Sequence, residues 1–377
     1  MRFFHLSDLH LGIRLREFSL LDDQEDILKK IIGHALTQKP DAVIIAGDVY
    51  DKNIPTIEAI RLLDWFLVEL NKQGIAVYMI AGNHDSTERV SFAASLLGKS
   101  GVHISEVYKG KILPIRTRDE YGEVDIWLMP YLKPSIVRPY FRDREITSYS
   151  EAVQAALGNL DVSTSGRNIL IAHQFVTGGL RCESDEVFVG GSENVDAALF
   201  DAFDYVALGH LHRPQNIYRE TLRYCGTPLK YSLSEADHVK SVTVVDIGRK
   251  GNVEIKEIPL SPRSDLRVIR GTYKELTARE NYTGTNTNDY IYVVLTDEDE
   301  EPEAMQKLRT IYPNITRLNY DNTRTQTSPD IIAASHDNKE PVDLFGELYE
   351  MMNGQPMSDV QRAYSLDLLE KIREESA

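Results

Sequence analysis

Eight polar residues in this chain stand where short apolar runs stop. Asp8 and His10 follow RFFHLS, Asp48 follows DAVIIAG, and Asn83 and His84 follow IAVYMIAG. His173 closes RNILIAH, and His210 and His212 follow DYVALG. Imidazole nitrogens, carboxylates and an amide oxygen, with no thiolate among them, are donors suited to Mn²⁺, Fe²⁺ or Zn²⁺ and not to a structural Cys-rich zinc site. With His84 set aside, seven donors are too many for one ion. They suit two ions sharing a carboxylate, and two ions about 3.5–4 Å apart clamp the attacking and leaving oxygens of a phosphoryl transfer. Taken singly, Asp8 reads as a turn residue and His173 as a core histidine. Five such motifs in order, each closing an apolar run, are not explained that way.

Donors of this kind need elements that end together. The apolar runs are short and β-rich, and helical patterns separate the first three, over about Asp22–Thr37 and Thr56–Lys72. Strand–helix–strand order with apolar strands argues a layered α/β core. Ligands of open α/β sheets bind beyond the carboxyl ends of the strands, so the expectation is that strands of one sheet bring these residues to one edge. SVTVVDI and NVEIKEI, with no long helix between them, suggest a second, partly antiparallel sheet. The first domain is expected over 1–265. Residues 266–320 read as a small α/β unit, with IYVVLTDE and NITRLNY as strands and PEAMQKLRTIY as a helix. Residues 321–340 are mostly polar and read as a linker. Residues 341–377 offer two amphipathic helices. Leu344, Phe345, Leu348 and Met352 lie on the first, NGQP breaks it, and Ser358 with Gln361 forms the capping-box pattern that opens the second, which carries Leu366, Leu369 and Ile372.

Bulk properties narrow the class. The chain has 377 residues, 42% of them hydrophobic, enough for a large core and more than one domain. No run of about 18 uncharged apolar residues occurs, which argues against a membrane span. MRFFHLSDLHLG reads as a first strand and not as a signal peptide. Cys182 and Cys225 have neither metal-site nor disulfide-framework spacing, which points to a reducing, intracellular compartment. The net charge of −16 argues against holding nucleic acid by charge over a broad face. It leaves room for a metalloenzyme acting on phosphates, because bound dications reverse the local field. The acidic run Asp297–Glu303 reads as solvated.

The stretches DLH, GDVYD, GNHD, AHQ and GHLH resemble the five motifs of the calcineurin-like metallophosphoesterases. HLSDLHLG, SDEVFVGGSENVD, YCGTPLKYSLSEA and LFGELYEMMNGQPMSDVQ extend the likeness to the SbcD-type nuclease subunits of double-strand-break repair. The resemblance implies a two-sheet β-sandwich core flanked by helices, a small α/β capping domain that binds DNA, and a C-terminal helical hairpin. It implies that Asp8, His10 and His212 hold one metal, that Asp48 bridges, and that Asn83, His173 and His210 hold the second. His84 would face the scissile phosphate. Asp85 would orient His84, or serve as a turn or N-cap residue. The metals would be Mn²⁺, with Mg²⁺ as the alternative.

The resemblance further implies a cytoplasmic, nucleoid-associated nuclease, cutting duplex ends 3′→5′ and hairpins or single strands internally. A homodimer through the helices near Asp22–Thr37 and Thr56–Lys72 would form a heterotetramer with the ATPase SbcC. Leu344, Phe345, Leu348, Leu366 and Leu369 would dock on the coiled-coil base of that ATPase, or pack on their own chain. Arg14 and Arg16, and Arg138, Arg142 and Arg144, are candidates for DNA phosphates or ordinary surface arginines. Rivals fit less well. A small cyclic-nucleotide phosphodiesterase needs no extra domains, whereas this chain runs well beyond the motif core. Serine/threonine phosphatases carry GDxxDRG and GNHE, whereas Lys52 and Asn53 follow Asp51 here and Asp85 ends the later motif. A silent scaffold would have lost donors, and none of the eight is lost.

Overall fold

Two six-stranded sheets face each other in the first of two units, Met1–Arg267 and Val268–Ala377. The computed structural model describes residues 1–185, 193–322, 341–353 and 355–375. The first sheet contains β1 (Arg2–Leu6), β4 (Ala42–Ala46), β5 (Ala76–Ile80), β6 (Val102–Ile104), β13 (Ser241–Ile247) and β14 (Val253–Pro259), in the order β14-β13-β1-β4-β5-β6. Strands β1, β4, β5 and β6 run parallel, and β13 lies antiparallel to β1. Between them in sequence, β2 (Arg14–Leu15) and β3 (Phe18–Ser19) make a small hairpin. The second sheet contains β7 (Ile115–Asp119), β8 (Gly122–Leu128), β9 (Arg167–His173), β10 (Tyr205–Gly209), β11 (Gln215–Ile217) and β12 (Arg219–Tyr224), in the order β11-β12-β10-β9-β8-β7. Strands β8, β9, β10 and β12 are parallel.

Two sequence expectations change here. SVTVVDI and NVEIKEI do not belong to the second sheet. They extend the first, where β13 pairs with β1 and β14 with β13. Nor does one sheet carry all the candidate donors: β1, β4 and β5 bring theirs from one sheet, β9 and β10 from the other. Apolar content reports burial but not which sheet a strand joins, and β9 shows why. Ile169 and Ile171 point into the sandwich with Ile44, Ile80 and Ile126, while Leu170 and Ala172 lie on the opposite face among Trp127, Val206 and Leu208. Both faces are covered, so the strand reads as a continuous apolar run.

Helices close the layers. The first, α1 (Leu21–Gln38), buries Ile27, Leu28, Ile31 and Ala35. The second, α2 (Ile57–Lys72), buries Leu62, Leu63, Phe66 and Leu70 and packs on β5. Thr56 caps α2, its hydroxyl accepting from the Ala59 N–H at 3.3 Å. The helix Tyr149–Leu157 starts from a capping box of Ser148 and Glu151 and buries Ala152, Val153 and Ala156 against the second sheet.

The sheet of the second unit contains β15 (Leu266–Gly271, which begins at the end of the first unit), β16 (Tyr290–Leu295) and β17 (Ile315–Tyr320), in that order, with β16 and β17 parallel. The helix Ala304–Arg309 contributes Ala304 and Leu308 to its core. The run Asp297–Glu303 is a half-exposed to exposed connection before that helix. The expected linker falls, from 323 to 340, outside the described residues. The helices Pro341–Asn353 and Asp359–Glu375 pack on each other. Ser358 and Gln361 exchange the reciprocal hydrogen bonds of a capping box, and the Gln361 amide donates to the Tyr349 hydroxyl at 2.9 Å. Among the described residues no helix is long and apolar enough to cross a membrane.

Candidate metal centre

The loops that leave β1 and β4 stay paired after the strands end. The Asp8 N–H donates to the Gly47 carbonyl at 3.0 Å and the His10 N–H to that of Asp48 at 2.9 Å. Asp8, His10, Asp48 and His210 all hold positive φ, at 50°, 43°, 46° and 107°. Such strained conformations collect at functional sites, where the surrounding structure imposes them. Glycine precedes three of the candidates, and close approach of neighbouring backbone and side chains requires it. A Cβ on Gly209 would overlap the Ala46 carbonyl, one on Gly82 the Asp48 carboxylate, and one on Gly47, at φ +89°, the His173 ring. Buried Gln24 of α1 ties down the first loop, donating to the carbonyls of Leu9 and His10 at 3.0 and 2.8 Å and accepting from the Gly12 N–H at 2.9 Å.

All eight candidates meet. Donor atoms of Asp8, His10 and His212 lie within 4.8 Å of one another, as do those of Asp8, Asp48 and His173, and those of His10, Asp48 and His84. Asp48 therefore stands between the groups, its Oδ2 at 3.3 Å from His173 Nε2 and 3.7 Å from His10 Nε2. Asn83 completes the second group, with Oδ1 at 2.8 Å from His173 Nε2 and 2.9 Å from His210 Nδ1. His10, His173, His210 and His212 are at most 3% exposed. The His84 side chain is 26% exposed and stands at the mouth, with Nε2 at 4.0 Å from Asp48 Oδ2.

The electrostatics suit cations. Burial lowers His10 and His210 well below the usual imidazole range, so both are neutral and carry a lone pair. Burial works the same way on His173, but the Asp48 charge outweighs it and lifts that ring to about 9. Burial alone would raise Asp48; His173, His10 and His84 around it hold it far below the usual carboxylate range. Asp8 is pushed up to about 6 by burial, against the pull of His173 and His212.

The donor set also passes a direct test. His173 Nδ1 lies 2.8 Å from the Ala46 carbonyl, which can only accept, so Nδ1 is the donor and Nε2 faces the Asn83 and Asp48 oxygens. Nε2 of His10 and His212 face each other at 3.1 Å. Nitrogen and oxygen atoms brought this close need protons or cations between them. Seven donors in two groups fit a pair of divalent ions.

Asp85 does not face His84. Its Oδ2 accepts from the N–H groups of Val49 and Gly82 at 3.0 and 2.9 Å, and its Oδ1 from that of Tyr50 at 2.9 Å. It locks the GDVYD loop to the GNHD turn, which is the turn role; Ser86, not Asp85, caps the short helix that follows. His84 is oriented by the Asp51 carbonyl, 3.0 Å from Nδ1, which leaves Nε2 turned towards the site. Arg14 and Arg16 are exposed on the β2–β3 hairpin, and the Arg14 guanidinium donates to the Glu17 carbonyl. Arg138, Arg142 and Arg144 are all exposed, and the Arg138 guanidinium donates to the Ile146 carbonyl at 3.0 Å.

Sequence reading missed the residues that hold the donors. Gln24 gave no signal beyond an amide in the first turn of a helix. Ser184, Asp185, Glu235 and Lys240 lie in or beside SDEVFVGGSENVD and YCGTPLKYSLSEA, stretches that carried a likeness but no assigned role. Residues 186–192 of the first stretch lie outside the described residues.

Comparison with known proteins agrees with this geometry. Residues 1–214 match the model of the calcineurin-like phosphoesterase family, and residues 262–353 that of the type 5 capsule protein repressor C-terminal domain. The chain is 33% identical over 368 residues, 96% of each chain, to the SbcD subunit of the SbcCD nuclease of Staphylococcus epidermidis. Among solved structures, a dimetal phosphatase from Danio rerio aligns over 69% of this chain and 96% of its own, with 12% identity and a TM-score of 0.45. TT1561 of Thermus thermophilus aligns over 68% of this chain and 98% of its own, with 14% identity and a TM-score of 0.39. Those two scores are too low to bear on function; the family match and the relative at 33% identity are not. The chain belongs to the calcineurin-like phosphoesterases, metal-dependent hydrolases of phosphate esters, and within them to the family of the SbcD nuclease subunits.

Proposed function

We propose that this protein is a two-metal DNA nuclease working with Mn²⁺, with Mg²⁺ as the alternative. One observation carries the reading: donors from the strand ends of two sheets converge in overlapping groups about Asp48, with half-buried His84 at their mouth. The 33% identity to a nuclease subunit over nearly the whole chain supports DNA as the substrate. Asp8, His10 and His212 would hold one cation, Asn83, His173 and His210 the other, and Asp48 both. Bound there, the cations supply Lewis acidity and an acidified water for attack on phosphorus. His84, held through Nδ1 by Asp51, presents Nε2 to the substrate, where, if protonated, it would stabilise the developing charge or protonate the departing O3′.

Family likeness further suggests a 3′→5′ exonuclease on duplex ends and an endonuclease on hairpins and single strands, with the 266–320 unit contacting DNA. It suggests action in the cytoplasm at the nucleoid, in a heterotetramer with the ATPase SbcC. Exposed Ile54, Ile57, Ile60 and Val68, on and just before α2, support a homodimer through that helix. Phe345, Leu348 and Leu366 are exposed on the tail, as docking on the ATPase needs, while the side chains of Leu344 and Leu369 lie outside the described residues.

The test uses end-labelled duplex and hairpin DNA with Mn²⁺, Mg²⁺ or EDTA, beside a diester and a monoester model substrate. Cleavage of DNA and diester with Mn²⁺, abolished by EDTA, is expected. Monoester turnover without DNA cleavage would place the protein in a phosphatase branch instead.

A further inference from the structure

Behind His212 lies a polar network that the reaction scheme leaves unused. Glu235 is fully buried and Lys240 is 4% exposed, and they pair at 2.5 Å through Glu235 Oε2. Oε2 also accepts from the Thr227 hydroxyl at 3.1 Å. Oε1 accepts from Ser184 Oγ at 2.6 Å, Ser232 Oγ at 3.0 Å and the Tyr231 N–H at 3.2 Å. Buried ion pairs are often no more stabilising than apolar packing, so this one calls for another role.

The proton arrangement supplies it. A carboxylate only accepts, so the short contact from Ser184 must be its O–H donating to Glu235. That hydroxyl then offers only lone pairs to its other neighbour, His212 Nδ1, at 2.8 Å. His212 Nδ1 must therefore carry a proton, and in the neutral ring that leaves the lone pair on Nε2. Nε2 is the atom that faces His10 Nε2 and the Asp8 group. The backbone of the same residue is held as well: its N–H donates to Asp185 Oδ1 at 3.0 Å, and its carbonyl accepts from Lys240 Nζ at 2.9 Å.

We propose that Glu235 is a positioning residue for His212: through Ser184 it holds the imidazole with Nδ1 protonated and Nε2 turned to a cation, while Lys240 anchors both partners. The proposal rests on the two-metal reading above. Neighbours that fix a ligating imidazole in this way are typically worth about 10–100-fold in metal affinity.

Mn²⁺ titration of the metal-free full-length chain, by calorimetry and by electron paramagnetic resonance, tests it. The wild type is expected to bind two ions. Ser184→Ala keeps the Glu235–Lys240 pair and so keeps the fold, which a melting curve checks. It should weaken one ion by about 10–100-fold and leave the other within about twofold. Ser184→Thr, which keeps the hydroxyl, should restore both. In long-range ¹H–¹⁵N spectra the Nδ1–H form of His212 should lose population to the Nε2–H form in Ser184→Ala, with only the more distant Asp185 and Glu235 oxygens, each 3.7 Å away, left facing Nδ1. Glu235→Gln should act in the same direction, with lower stability because Lys240 is left uncompensated. A folded Ser184→Ala chain that binds both ions as tightly as the wild type would overturn the positioning role. A wild type that takes up no Mn²⁺ would instead overturn the two-metal reading, and this proposal with it.

Discussion

His84 differs from the four other histidines of the centre in being partly open to solvent, and a partner on its Nδ1 leaves Nε2 free to meet substrate. His84→Ala should therefore bind Mn²⁺ like the wild type and lose about 10²–10⁴-fold in turnover of a phosphodiester model substrate. Equal loss of binding and turnover would refute the division of labour. His5 is the useful contrast. It lies in the same opening stretch, but its Nδ1 meets the Tyr205 hydroxyl at 2.9 Å and burial drives it down to about 3, the mark of a core histidine. The glycines before the donors are equally specific. Gly209→Ala would set a methyl into the Ala46 carbonyl, and urea melts should show a loss of about 1–3 kcal/mol or more together with weakened Mn²⁺ binding. An unchanged melt would mean that the two sheets are not as tightly apposed as Gly209 requires.

At the scale of elements, helix starts are stabilised by local chemistry that can be altered without touching the centre. Ser148 and Glu151 cap the Tyr149–Leu157 helix, and Ser148→Ala should cost about 1 kcal/mol in chemical denaturation. Hydrogen bonds from the Thr147 and Ser148 backbone hold the Glu151 carboxyl at about 2, below its ordinary 4.5. A depressed carboxyl stabilises the fold above its unfolded value and loses that contribution as the pH falls from there through the folded value. The stability difference between wild type and Glu151→Gln should accordingly be constant from pH 7 to about 5 and shrink below about 4.5. A difference that stayed flat to pH 3 would remove Glu151 from the cap.

For the molecule as a whole, the exposed apolar side chains are where the proposed dimer and partner contacts can be tested. Ile57 is 63% exposed and Ile60 46% exposed on α2, neighbours at helical spacing. Ile57→Glu with Ile60→Glu should convert a dimer to a monomer in light scattering while leaving Mn²⁺ binding intact. The tail helices hold each other through Gln361 and Tyr349 yet present Phe345, Leu348 and Tyr364 outward. Deleting 341–377 should abolish binding of the ATPase partner in pull-down and spare basal diester hydrolysis. A truncated chain that still bound the partner would place the docking surface elsewhere. The net charge of −16 is consistent with a site whose positive field comes from bound cations and not from a basic face.

The donors were legible without coordinates because each type is chemically specific and each follows an apolar run, so DLH, GDVYD, GNHD, AHQ and GHLH announced a phosphoesterase. Strand positions, the capping box at Ser358 and the helices near 22–37 and 56–72 were legible for the same reason: period and capping are local. Which sheet β13 joins was not, since pairing with β1 is set by contacts some 240 residues apart in sequence and both candidate sheets bury a strand equally well. The direction of a side chain was not legible either. Asp85 is adjacent to His84 in sequence but serves the Val49 and Tyr50 amides across a loop, while Ser184 and Glu235, 51 residues apart, meet behind His212. Residue type and local order therefore determined the chemistry of the centre. Its geometry, and the buried hydrogen bonds that hold each imidazole in one tautomer, arose only when two sheets were packed face to face, because long-range contacts decide which acceptor each proton meets.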